Sequence, residues 1–216
     1  MNDPLLDSIR QPPRVEPILE APIAVVIDAH VEMMRPEARE VHVAAIGDSI
    51  TAGSPWDDDP AIGWPAAAAA ADPRLRFTIR AVYGKRTDEI AAWLDEAAVG
   101  AEVLVVQGGI NDIAQGRPLP DAAANLRAMI RRGQELRLRV AVADVLPWNN
   151  GWPGAEPPIR ELNALIEELG VPVLPFHDTL EDPGRPGRMR EDWTFEGDHP
   201  SVEGYRRLGE LAFRLP

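Results

Sequence analysis

Ser49 ends the stretch Ile46-Gly47-Asp48-Ser49, where an apolar run over residues 41–46 stops and a loop begins. A hydroxyl at the end of a buried strand is fixed by the strand and opened to substrate by the loop, which suits a nucleophile. Gly-Asp-Ser tripeptides are common in ordinary turns, so the weight comes from two distant segments. One is Gly108-Gly109-Ile110-Asn111-Asp112, directly after another apolar run, and the other is Glu196-Gly197-Asp198-His199-Pro200 near the C-terminus. Together they supply a hydroxyl, an uncharged amide donor, an acid and an imidazole, the groups that acyl transfer through a serine ester requires. The serine must lose a proton to attack an acyl carbon, and a neutral imidazole is the natural acceptor near pH 7.

Other constellations are weaker. Gly47-x-Ser49-x-Thr51 is not the G-x-S-x-G elbow of an α/β-hydrolase. His177, followed by Asp178, is a second histidine at a strand end and an alternative base. Asp57-Asp58-Asp59 lacks the alternate spacing of a calcium loop and reads as a solvated turn. No glycine loop with lysine precedes a helix, which argues against phosphoryl transfer. No metal and no cofactor is expected.

The elements that must position these groups follow a regular alternation. Short runs rich in Val, Ile or Leu at residues 41–46, 77–82, 102–107, 139–145 and 171–176 read as strands buried on both faces. Helical segments separate them: an Ala run at 66–71, a helix with Ile90, Trp93 and Leu94 that Thr87 could cap, and one with Leu126, Met129 and Ile130 that Asp121 could cap. A further helix carries Ile159, Leu162, Leu165, Ile166 and Leu169 and stops at Gly170, and the last starts near Ser201 with Tyr205, Leu208 and Leu211. Five strand–helix alternations predict a parallel sheet, an α/β three-layer sandwich with helices on both faces. Sites in such folds form at the carboxyl ends of the strands, where Ser49, Gly84 and Asn111 all fall.

Upstream, the first 21 residues are rich in Pro and charge and read as an arm. Ile23, Val26, Ile27, His30, Val31 and Met34 then mark one face of a helix over about residues 22–34, closed by Arg35-Pro36. That face either covers part of the same domain or forms a dimer contact, with His30 as a packed residue. The expected organisation is an arm and helix over 1–40 and a catalytic domain over 41–216.

Composition bounds the partners. The 216 residues carry a formal net charge of −13, which disfavours a nucleic-acid backbone or an anionic membrane surface. There is no cysteine, so thiolate catalysis, disulfides and Cys-ligated metals are excluded. No apolar stretch approaches a membrane span and no secretory signal is visible at the N-terminus, so the cytoplasm is the expected compartment. Two of the six tryptophans, Trp148 and Trp152, flank Asn149-Asn150-Gly151 after the fourth strand, and Trp148 is the better candidate to line a substrate pocket. Trp56 and Trp64 follow Ser49 in the chain, and Trp64 and Trp93 read as core.

Over roughly residues 41–214 the chain resembles the SGNH hydrolases, also called GDSL lipases and esterases. The resemblance rests on Gly47-Asp48-Ser49-Ile50-Thr51, on Gly84 within Val82-Tyr83-Gly84-Lys85, on Gly108-Gly109-Ile110-Asn111-Asp112 and on Glu196-Gly197-Asp198-His199-Pro200, in that order. It implies the flavodoxin-like sandwich, Ser49 as nucleophile, His199 as base, and an oxyanion hole of the Ser49 N–H, the Gly84 N–H and the Asn111 side-chain amide. It implies a small acyl ester as substrate and leaves an acyltransferase, or a non-catalytic binding module, as alternatives. Asp48 is expected to support the serine loop and border the substrate. One departure matters: the family usually has Asp three residues before the histidine, where this chain has Glu196. Glu196 is the expected partner of His199, with Asp198 or a backbone carbonyl as alternatives.

Overall fold

Alternation along the central strands decides how the sheet is used. In β1 (Val41–Gly47) Val43 and Ala45 point to one face and Ala44 and Ile46 to the other, and all four are fully buried. Such a strand needs a layer on each side. The computed structural model describes residues 39–53 and 62–216. In chain order these form β1, α1 (Ser49–Ala52), α2 (Trp64–Ala71), β2 (Leu75–Ala81), α3 (Thr87–Ile90), α4 (Leu94–Ala97) and β3 (Val103–Val106). There follow α5 (Ile110–Ala114), α6 (Leu119–Glu135), β4 (Arg139–Ala143), α7 (Glu156–Glu167), β5 (Val173–Leu174), α8 (Phe176–Leu180), a hairpin of β6 (Thr194–Phe195) and β7 (His199–Pro200), and α9 (Val202–Arg207).

The five main strands are parallel in the order β2-β1-β3-β4-β5, as expected from the alternation. One core lies beneath α2, α8 and α9, where Trp64 contacts Phe77, Phe176 and Phe213 at ring-centroid distances of 5.6–5.7 Å. The other lies beneath α6 and α7, which contribute Leu126, Met129, Ile130, Ile159, Leu162 and Ile166. Each such side chain contributes about 1.5–3 kcal/mol through burial. Gly133 marks the closest approach of α6 to the sheet: a Cβ there would lie 2.7 Å from Leu104 Cδ2.

Several local expectations are corrected. β2 is not buried on both faces; among the described residues it is an edge strand paired only with β1, and Ile79 is 42% exposed. β5 shrinks to two residues because Pro175 follows and cannot donate to a ladder. Thr87 and Asp121 are not caps; Arg86 and Pro118 occupy those positions, and both residues lie in the first turn. Ser201 does cap α9, accepting from the Gly204 N–H at 3.2 Å. Trp93 is half-buried, with the Arg80 guanidinium 6.0 Å from its ring. The expected N-terminal arm and helix, Trp56 and Asp57-Asp58-Asp59 lie outside the described residues. Among the described residues no helix is long and apolar enough to cross a membrane.

Strand order places the site. From β1 the chain moves to β2 on one side and then to β3 on the other. The connections therefore part company between the carboxyl ends of β1 and β3, opening a crevice there.

Candidate active site

Ser49 stands at that crevice as the first residue of α1 and is 6% exposed. The preceding Asp48 caps the helix: its Oδ1 accepts from the Ile50 N–H at 2.9 Å, satisfying a donor that a helix start leaves unpaired. The Asp48 N–H donates to Gln107 Oε1 at 3.2 Å, and the Thr51 hydroxyl donates to the same oxygen at 2.9 Å. Trp64 Nε1 in turn donates to Thr51 Oγ1 at 3.3 Å. The serine turn is thereby tied to the end of β3 and to one core. Thr51 is fully buried in this network and is not a rival nucleophile.

Asp48 is 0% exposed and underlies the serine, supporting its loop through these hydrogen bonds. Burial pushes its carboxyl up to about 6; hydrogen bonding from the Ile50 N–H opposes the shift and the nearby charge of Asp112 adds to it.

Asn111 enters from α5. Its Nδ2 donates to the Lys85 carbonyl at 3.1 Å and, at a long 3.4 Å, to Asp48 Oδ2. Gly84 adopts φ +74, the left-handed region that favours glycine. Its loop is locked to α5. Asp112 accepts from the Thr87 N–H at 3.0 Å and the Thr87 hydroxyl at 2.8 Å, and Gln115 Nε2 donates to the Gly84 carbonyl at 3.1 Å. Ser49, Gly84 and Asn111 thus converge from three strand ends, and their spacing is held by hydrogen bonds between elements.

His199 reaches the serine from the opposite wall. Its Nε2 lies 2.9 Å from Ser49 Oγ although 150 positions separate the two residues. The β6–β7 hairpin positions it: Phe195 pairs with His199 and Glu196-Gly197-Asp198 forms the turn. Partial burial lowers the His199 pKa, against the opposing pull of the Asp198 charge.

The acid is where expectation and structure part. Among the described residues Glu196 makes no hydrogen bond to His199; it is exposed in the turn at φ +50, and its carbonyl accepts from Asn150 Nδ2 at 2.5 Å. With Phe195 and His199 opposite each other, a three-residue turn sends Glu196 outward. Asp198 is exposed as well and, among the described residues, makes no hydrogen bond to His199 either, but its carboxylate is held in place. Its Oδ1 accepts from Trp148 Nε1 at 2.7 Å and from Asn150 Nδ2 at 2.6 Å. Trp148 therefore serves the site by anchoring Asp198 and is only half-buried. His177, the alternative base, sits after β5, three strands along from β1. Sequence reasoning missed Gln107, Asn149 and Asn150. Asn149 ties the same loop down, donating to the Met189 carbonyl at 2.9 Å and accepting from the Met189 N–H at 2.7 Å. A polar residue closing an apolar run, and paired asparagines at a strand end, were the available signals.

A family model described as GDSL-like lipase/acylhydrolase matches residues 45–207. Among solved structures, a protein described as lipolytic and of the G-D-S-L family from Desulfitobacterium hafniense superposes with a TM-score of 0.69 at 23% identity, over 79% of this chain and 97% of that one. A member of the lipolytic protein G-D-S-L family from Veillonella parvula gives 0.66 at 24%, over 78% and 94%. A variant of an acetyl xylan esterase from Geobacillus stearothermophilus gives 0.62 at 17%, over 79% and 92%. A search of curated protein sequences found no match.

Proposed function

The chain belongs to the GDSL-like lipase/acylhydrolase family, and from that premise we propose that it is a serine esterase acting on small acyl esters through an acyl-serine intermediate. The observation that carries the reading is the 2.9 Å contact between His199 Nε2 and Ser49 Oγ. Ser49 Oγ attacks the acyl carbon while its proton passes to His199 Nε2, and the carbonyl electron pair moves onto oxygen. The Ser49 and Gly84 N–H groups and the Asn111 amide receive that oxyanion. The long Asn111–Asp48 contact is the one the substrate oxygen replaces, while the Lys85 carbonyl keeps the amide in place. Collapse of the intermediate breaks the ester C–O bond, and His199 returns the proton to the departing alcohol. Water repeats the cycle and frees the acid.

Asp198 stabilises the imidazolium formed during attack; Trp148 and Asn150 hold it beside His199. A histidine of lowered pKa is neutral at pH 7 and ready to accept the serine proton. The presence of an acetyl xylan esterase among the structural neighbours supports a short acyl group. The test is an active-site fluorophosphonate together with a series of nitrophenyl esters. Labelling should fall on Ser49, disappear in Ser49→Ala, and be accompanied by faster turnover of acetyl than of long-chain esters. Labelling that survives Ser49→Ala would remove the serine from the mechanism.

A further inference from the structure

The loop that anchors Asp198 carries the one Asn-Gly pair in the sequence, Asn150-Gly151. Such a pair marks a turn, and here each member has a second task. Asn150 Nδ2 donates to Asp198 Oδ1 at 2.6 Å and to the Glu196 carbonyl at 2.5 Å, so one amide braces the turn that leads into His199. Gly151 is required by packing: a Cβ there would run into the Trp148 ring and lie 2.7 Å from the Ala155 methyl. Anchoring calls for the amide and packing calls for the glycine, in adjacent positions.

That pair is chemically labile. Asparagine is one of the thermolabile residues, and it is most so before glycine, where no side chain shields the next backbone nitrogen. Two observations leave the reaction open in this loop. Asn150 is exposed, so water reaches its side chain. Among the described residues the Gly151 N–H has no hydrogen-bond partner, so no acceptor holds that nitrogen back.

We propose that Asn150 is a site of spontaneous deamidation, and that its conversion to an acid deprives His199 of Asp198. The Gly151 nitrogen gives up its proton to hydroxide and attacks Asn150 Cγ. The bond from Cγ to Nδ2 breaks, ammonia leaves, and a five-membered succinimide closes. Water then opens either carbonyl of the ring, giving aspartate or isoaspartate. Conversion reverses the contact with Asp198: where an amide donated, a carboxylate oxygen now faces Asp198 Oδ1. Both groups are exposed, so above neutral pH both stay ionised and repel. Asp198 then loses the position that Asn150 gave it beside His199. The isoaspartate product also lengthens the backbone next to the Asn150 N–H, which donates to the Gly197 carbonyl at 3.4 Å. The effect on catalysis rests on the role proposed for Asp198; the deamidation itself does not.

The test incubates the folded full chain in mildly alkaline buffer over several weeks, with two readouts. Peptide mapping should find aspartate and isoaspartate at position 150 ahead of any other asparagine, each with the mass gain of an amide-to-acid exchange. Fluorophosphonate labelling of Ser49 should slow by about 10- to 100-fold in the converted fraction. Asn150→Asp should label slowly from the start. Asn150→Gln, whose longer side chain must close a six-membered ring, should keep its amide over the same period. A wild-type Asn150 amide that survives the incubation, or converts no faster than those of Asn149 and Asn163, would overturn the modification. Converted protein that labels as fast as fresh protein would overturn its effect on His199. Fresh wild type that never labels at Ser49 would count against the esterase reading, and the peptide map would still decide the deamidation.

Discussion

Asp48→Asn should make the protein more stable and the enzyme slower. The Asp48 carboxyl is wholly buried, and its pKa rises from 3.8 to about 6. At about 1.4 kcal/mol per pH unit that difference is worth about 3 kcal/mol. Because the folded value lies above the unfolded one, the native state holds more protons between about pH 4 and pH 6. Stability therefore falls as pH rises through that window, and the full cost of the buried charge is present at pH 7. Asparagine removes the charge and still accepts from the Ile50 N–H, since Asn caps helices as well as Asp. Against this, the new amide nitrogen meets Asn111 Nδ2 where Asp48 Oδ2 had accepted, which forfeits about 1 kcal/mol. The net expectation is a gain of about 1–2 kcal/mol at pH 8, a shift of roughly 0.5–1 M in the urea midpoint, fading towards zero at pH 4. The same change sets an amide nitrogen against the Asn111 amide that receives the oxyanion and displaces it, so kcat should fall about 10- to 100-fold. Urea unfolding from pH 4 to 8 and ester hydrolysis measure the two halves. A variant no more stable than the wild type at pH 8, or a gain independent of pH, would refute the account of Asp48 as a buried charge retained for the site.

Three further outcomes follow from the geometry. Asn111→Ala should lower kcat by about 10²–10³ with a smaller change in KM, because the amide acts on charge that appears only in the transition state; steady-state kinetics on a nitrophenyl ester decides it. On the proposed role of Asp198, whose charge favours the protonated form of His199, Asp198→Asn should slow hydrolysis at least tenfold more than Glu196→Gln; the reverse order would restore Glu196 as its partner. Burial depresses the His199 pKa, so in the Asp48→Asn background, where Asp48 no longer titrates, the acid limb of kcat/KM should have its midpoint below 6.5, and a midpoint above that value would contradict the burial reading.

Strand positions, the parallel sheet and the three converging blocks were legible because period and punctuation are local. Short apolar runs broken by Gly and Pro specify strands, and Ser49, Gly84 and Asn111 lie two, three and five residues past the ends of three of them. Edge position was not legible: β2 reads like its neighbours, and it is the strand order that places it at the edge among the described residues. The choice of acid depended on the backbone path. Spacing from His199 favours Glu196, yet the pairing of Phe195 with His199 turns Glu196 outward, and side chains from a loop 48 and 50 positions away secure Asp198. The pKa of Asp48 likewise reflects packing, since desolvation depends on what covers a carboxylate and not on its neighbours in the chain. Residue type and local spacing, set by the sequence alone, determined which chemical groups would meet at the sheet edge. Their orientation, burial and hydrogen-bond partners were decided by tertiary contacts, because those depend on residues that only folding brings close.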